Sequence, residues 1–184
     1  MKFKKIICIA LVGIMSLLGT SSVLAENEDN NTKRNQIQFV TTDENGNEVV
    51  EDLVYIDFIA EAYENQKHMR WPATTYWNLG SSAYTMSGGS ALMVTSDRHF
   101  YANSANRIYY HGETTGRNAY VSLYDVTAEE YAGSFLLVDQ GNNVFSRTGY
   151  FSGLGSNVKY SVGVISKTTN NFSSFYTTVA WNAL

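Results

Sequence analysis

Between residues 158 and 164 every second side chain is apolar (Val158, Tyr160, Val162, Val164), and the alternates are Lys159, Ser161 and Gly163. A strand turns successive side chains to opposite faces, so this alternation predicts a strand with one buried and one solvated face. Residues 175–181 repeat the pattern, with Phe175, Val179 and Trp181 on one side. Residues 118–126 alternate as well. Here Tyr120, Ser122 and Tyr124 form one face and Val121 and Leu123 the other, and either can be the buried one. Further strands are predicted at 91–95, 99–102, 107–111, 134–139 and 144–150. From Trp71 onwards, clusters of Gly, Asn and Ser interrupt the chain every 8 to 12 residues or so, the spacing of sandwiches and barrels.

Two elements are predicted ahead of this region. Ile37, Phe39 and Thr41 alternate with Gln38 and Val40 before Asn45-Gly46, the dipeptide that best suits a tight hairpin turn, and Val49 and Val50 follow. Residues 51–66 are the helix candidate, because Val50, Leu53, Val54, Phe58 and Ala62 recur at threes and fours and acids cluster in the first turn. Tyr55, Ile56 and Ile59 would suit a strand equally. About eight strands cover their apolar faces better as two sheets than as one. The expected fold is therefore all-β: a jelly-roll-like β-sandwich over residues 71–184, preceded by a hairpin and helix segment at 37–70. A closed barrel is the alternative.

The N-terminus changes where such a domain would work. Lys2, Lys4 and Lys5 precede an apolar run from 6 to 18, and Val23, Leu24 and Ala25 supply a cleavage site, the order of a secretory signal peptide. The run is short of the ~20 residues that cross a hydrocarbon core, so a membrane anchor is not expected. Cys8, the one cysteine, lies inside the run rather than at the cleavage point, which argues against a lipoprotein. Residues 26–36 are polar and read as a disordered lead-in. Edman sequencing of protein from culture supernatant is expected to start at Glu26; an intact Met1 would overturn the signal reading.

Cleavage would remove three lysines and no acid, leaving ten Lys and Arg against seventeen Asp and Glu, a net charge of −7. Such a surface repels phosphate backbones, and nucleic acid is not an expected partner. The mature chain would hold no cysteine and no disulfide, which in an exported protein points to a Gram-positive bacterium as source.

Catalytic signatures are few. The sequence has no G-x-S-x-G elbow, no H-E-x-x-H and no phosphate-binding glycine loop, and no cofactor or metal is expected. His68, His99 and His111 are too scattered to argue a metal site. Asp97-Arg98-His99 reads as a polar turn. Asp43, Asn45 and Asn47 have the spacing of calcium-loop ligands, but Val54 stands where the bidentate acid belongs, and the hairpin turn explains them better.

Aromatic residues carry the functional expectation. Trp71, Tyr76 and Trp77 stand within seven residues around Pro72, the only proline, and Tyr109 and Tyr110 lie in a tyrosine-rich half of the chain. Flat rings at a surface stack on sugar faces or insert into another protein. These five are the candidate ligand-binding residues, set against the alternative that the tryptophans plug one end of the sandwich.

The runs YVSLYDV at 120–126, SFLLVDQ at 134–140, FSGL at 151–154 and YSVGV at 160–164 resemble the second half of secreted bacterial jelly-roll modules of the pre-peptidase C-terminal type. That resemblance implies a non-catalytic extracellular module, without the acidic calcium-site signature such modules carry. The Tyr109-Tyr110-His111 triplet and the Trp and Tyr enrichment also resemble small secreted bacteriocins of the lactococcin-972 type, whose W-x-Y-G start is absent. The expected function is a secreted binding or interaction module with a carbohydrate or protein ligand at a cell surface. The alternatives are a secreted antagonist of another cell's envelope and, third, a hydrolase.

Overall fold

The computed structural model describes residues 37–67, the backbone of 75–76, and 83–181. The predicted signal peptide and lead-in lie outside the described residues, as do Trp71 and Trp77. Thirteen strands and one helix make up the described part of the unit Gln36–Leu184. The strands are β1 (Gln38–Thr42), β2 (Glu48–Asp52), β3 (Thr75–Tyr76), β4 (Tyr84–Gly88), β5 (Met93–Thr95), β6 (Arg98–Tyr101), β7 (Ile108–Thr115), β8 (Ala119–Asp125), β9 (Glu130–Leu136), β10 (Val138–Gly141), β11 (Val144–Ser152), β12 (Lys159–Ser166) and β13 (Ser174–Ala180). The helix, α1, is Asp57–Lys67.

The strands form two sheets, and the fold is a β-sandwich. Sheet A has the order β2-β1-β11-β7-β13-β4, with β10 added on β11; sheet B has the order β3-β6-β12-β8-β9, with β5 added on β12. From β7 onwards the chain passes back and forth between them, so β7 finds its neighbours in β11 and β13, far along the sequence. The inner faces meet in an aromatic core. Phe39 stacks on Phe135 at 3.7 Å between centroids and meets Phe151 edge-on at 5.4 Å. Val121, Leu123, Tyr160, Val162 and Val164 of sheet B complete it, all buried. Arg147 closes one rim, its guanidinium over Phe39 and Phe135, 2.5 Å from the Glu51 carboxylate.

The hairpin forms at the expected turn but is not a separate segment, because β1 is an interior strand of sheet A paired to β11. Gly46 takes φ +83°, and the Asp43 carboxylate accepts the backbone N–H groups of Asn45 and Asn47 at 2.9 and 2.8 Å. Those bonds hold the Asp43 carboxyl below the ordinary carboxylate range, led by the Asn47 amide.

The helix starts later than its periodicity predicts. Glu51 and Asp52 belong to β2, and Val54 exchanges backbone hydrogen bonds with Ser134 of β9, so the ladder captures the first part of the predicted helix. The buried stripe is accordingly Ile56, Ile59, Ala60 and Tyr63 rather than Val50, Leu53 and Val54. It packs on the outer face of sheet B, against Tyr124, Tyr131 and Ile165. The expectation of a wet face on β12 fails: Gly163 is buried under Tyr63 of the helix and Ser161 against Ser96. On β8 both candidate faces are buried, Val121 and Leu123 in the core and Ser122 and Tyr124 toward the helix.

Three buried tyrosines make this packing sensitive to alkali. Burial pushes the Tyr63 and Tyr110 hydroxyls well above the ordinary value and Tyr131 up to about 12. Above pH ~10 the unfolded chain releases these protons and the folded chain keeps them, so stability is flat below that pH and falls above it. Each ring contributes a slope of about 1.4 kcal/mol per pH unit while only its unfolded form is ionised. A thermal midpoint that falls steeply above pH ~10, with part of the tyrosinate absorbance appearing only as the fold is lost, is the expected result. Full tyrosinate absorbance in a still-folded protein would contradict it.

Candidate functional site

The outer face of sheet A follows from the alternation of β7. Ile108, Tyr110, Gly112 and Thr114 point into the sandwich, which sends Tyr109, His111, Glu113 and Thr115 outward. Register then places Tyr150, Thr148 and Ser146 of β11 on one flank and Ala180, Thr178 and Tyr176 of β13 on the other. Thr85 and Ser87 of β4 extend the second flank.

The rings form a row across the strands. Tyr109 lies 5.4 Å from Tyr150, and the Arg107 guanidinium sits over the Tyr150 ring at 4.3 Å. Tyr150 donates its hydroxyl to Glu48 at 2.6 Å, and burial followed by that bond raises its pKa. His111 lies 6.0 Å from Tyr176, with Nδ1 2.7 Å from Thr148 Oγ1. Tyr176 is 45% exposed, so its ring face is open to a ligand. Hydroxyls surround the row: Thr85 and Thr178 at 3.3 Å, Thr115 and Ser174 at 2.7 Å. The arrangement offers apolar ring faces beside hydrogen-bonding groups that point the same way, with Glu113 paired across from Tyr176.

The predicted binding residues are only partly brought together. Tyr109 is on this face. Tyr110, its neighbour, is fully buried in the core, edge-on to Phe39 and within 3.2 Å of Thr177 Oγ1, so it is corrected from a surface ligand contact to a packing residue. The β7 alternation thereby splits the Tyr109-Tyr110-His111 triplet between two faces. The backbone of Tyr76 lies in β3, at the edge of sheet B, paired in parallel with His99 of β6. Tyr76 and Tyr109 therefore belong to different sheets. His111, Tyr150 and Tyr176 were missed as a set. The signal for Tyr176 was present, since placing Phe175 and Val179 inward leaves Tyr176 and Thr178 outward.

Asp97-Arg98-His99 is less solvated than a polar turn. Asp97 is exposed but accepts a hydrogen bond from the Tyr84 hydroxyl, while His99 is buried and its pKa is lowered, first by burial and then by Lys159. Burial, then the Asp97 bond, pushes Tyr84 up to about 12. Among the described residues no three His, Cys, Asp or Glu gather closely enough to hold a metal ion.

No family model matches the chain. No curated protein matches it either. Among solved structures it is similar to a pre-peptidase C-terminal domain. That domain belongs to a collagenase from Bacillus anthracis; the two are 17% identical, the match covers 52% of this chain and 87% of that one, and the TM-score is 0.35. A module of the pre-peptidase C-terminal type is thus among the solved structures similar to this chain, over 52% of its length, and nothing here supports the resemblance to lactococcin-972-type bacteriocins.

Proposed function

We propose that this chain is an exported, non-catalytic module that binds carbohydrate at a cell surface through the outer face of sheet A. The observation that carries the reading is the open row of Tyr109, His111 and Tyr176, bordered by threonine and serine hydroxyls. Sugar rings present C–H faces that stack on aromatic rings and hydroxyls that need donors and acceptors at their rim, and this face supplies both. The cores of protein interfaces are more apolar than a surface so rich in hydroxyls, which favours sugar over protein as the ligand. Export rests on the signal-like N-terminus. Among the described residues no helix is long and apolar enough to cross a membrane.

The test uses the mature protein on a glycan array and on purified Gram-positive cell walls. Tyr176→Ala and Tyr109→Ala are expected to weaken binding by about tenfold or more each. Their thermal midpoints should stay near that of the parent, because neither ring is buried in the core. Binding that survives both changes, or that is lost only with the fold, would sink the reading.

A further inference from the structure

A second surface lies on the opposite side of the molecule, where α1 meets the end of β12. A groove of about 440 Å³ runs between the helix and the loop after β12, within the range of small-molecule sites. Ile165 and Met93 form its floor, and Phe58 and Leu92 stand on its walls. Phe58 and Leu92 are 47% and 45% exposed, so two large apolar side chains face water across one channel. Isolated exposed apolar residues are ordinary, but a facing pair over an apolar floor gains when a chain of methylenes fills the space between.

The rim is polar and held in place. Ser166 donates its backbone N–H to Leu92 and its hydroxyl to the Asn170 carbonyl, and the Lys167 N–H bonds to Asn118. Lys167 is exposed at this rim, beside the hydroxyls of Ser166, Thr168 and Thr169. No carboxylate among the described residues forms an ion pair with it. The other flank of α1 carries Asp57, Glu61 and Glu64 around a separate depression. Charge therefore has a direction across the helix: an anion is repelled on one side and attracted at Lys167 on the other.

We propose that the groove binds a free single-chain amphiphile, its acyl chain between Phe58 and Leu92 and its anionic head at Lys167. An acyl chain suits the apolar floor, a single anionic group suits one exposed lysine, and the acidic flank sets which way the head points. The site is on the sheet B side, so it stands or falls separately from the face of sheet A.

The test is a calorimetric titration of the mature protein with laurate and with its neutral monoglyceride, both below their critical micelle concentrations. Laurate is expected to bind saturably at one site. Phe58→Glu and Leu92→Glu should each weaken it by about tenfold or more. Either variant that stays folded suffices, since both side chains are half exposed. Lys167→Glu should weaken laurate by about tenfold and leave the monoglyceride within about twofold. Tyr176→Ala should leave laurate binding unchanged. Absence of saturable binding overturns the proposal, as does retention of laurate by both wall variants. Equal loss of laurate and monoglyceride in Lys167→Glu removes the head contact. Binding to phosphatidylglycerol vesicles without binding of free laurate would make the surface a membrane contact instead.

Discussion

Val162→Asp is expected to yield no folded protein. Val162 is fully buried in the central strand of sheet B, opposite Leu123 of β8 and on the same face as Tyr160 and Val164. A carboxylate placed in that apolar cluster loses its hydration, and the cost of several kcal/mol is comparable to the whole stability of a small domain, about 5–15 kcal/mol. Lys159→Asp, three residues earlier and only half buried, should be mild by comparison. Ser161→Asp is the sharper contrast. The alternation of β12 makes Ser161 a solvent position, whereas in the structure it is buried with its hydroxyl 3.0 Å from Ser96 Oγ. Ser161→Asp should therefore also lose the fold. Soluble yield and circular dichroism melts of the three variants decide the matter: if Val162→Asp and Lys159→Asp melt alike, the facing of β12 is wrong.

That contrast marks where the sequence is legible and where it is not. Strand periodicity reports which residues share a face, and it places Val158, Tyr160, Val162 and Val164 together, as the structure does for the last three in the core. It does not report how many faces are covered. Ser161, Ser122 and Gly163 are small or polar, which reads as solvated, but Tyr63 of the helix lies on Ser122 and Gly163, and Ser96 lies against Ser161. The helix itself is misread by six residues at its start, since Glu51 to Val54 satisfy their backbone groups in ladders whose partners, β1 and Ser134, local pattern cannot supply. The same limit applies to the candidate site. Tyr109 and Tyr110 are equal as letters, and only the inward or outward phase of β7 separates a ligand contact from a core residue. The row of Tyr109, His111 and Tyr176 depends on β7 lying between β11 and β13, a long-range pairing.

The attachment of α1 to sheet B rests on Tyr63, and the second large effect is expected there. Its ring is fully buried and stacks between Tyr124 at 4.8 Å and Tyr131 at 5.9 Å, with its hydroxyl 2.7 Å from Ser122 Oγ. Tyr63→Ala should cost about 3–5 kcal/mol, as removal of a large buried ring generally does. Tyr63→Phe should cost about 1–3 kcal/mol, for the Ser122 hydroxyl left unpaired. Gly163 lies directly beneath: a Cβ there would stand 2.5 Å from the Tyr63 hydroxyl and 2.7 Å from Ser122 Oγ, so Gly163→Ala should itself cost about 1–3 kcal/mol by crowding. The two changes share one space and cannot add. In a Tyr63→Ala background the crowding against the Tyr63 hydroxyl is gone and only that against Ser122 Oγ is left, so Gly163→Ala should cost clearly less than it does beside the intact ring. A double-mutant cycle on denaturant midpoints measures the coupling. If Gly163→Ala costs as much without the Tyr63 ring as with it, the ring does not rest on Gly163, and the helix is held to sheet B by something other than this stack.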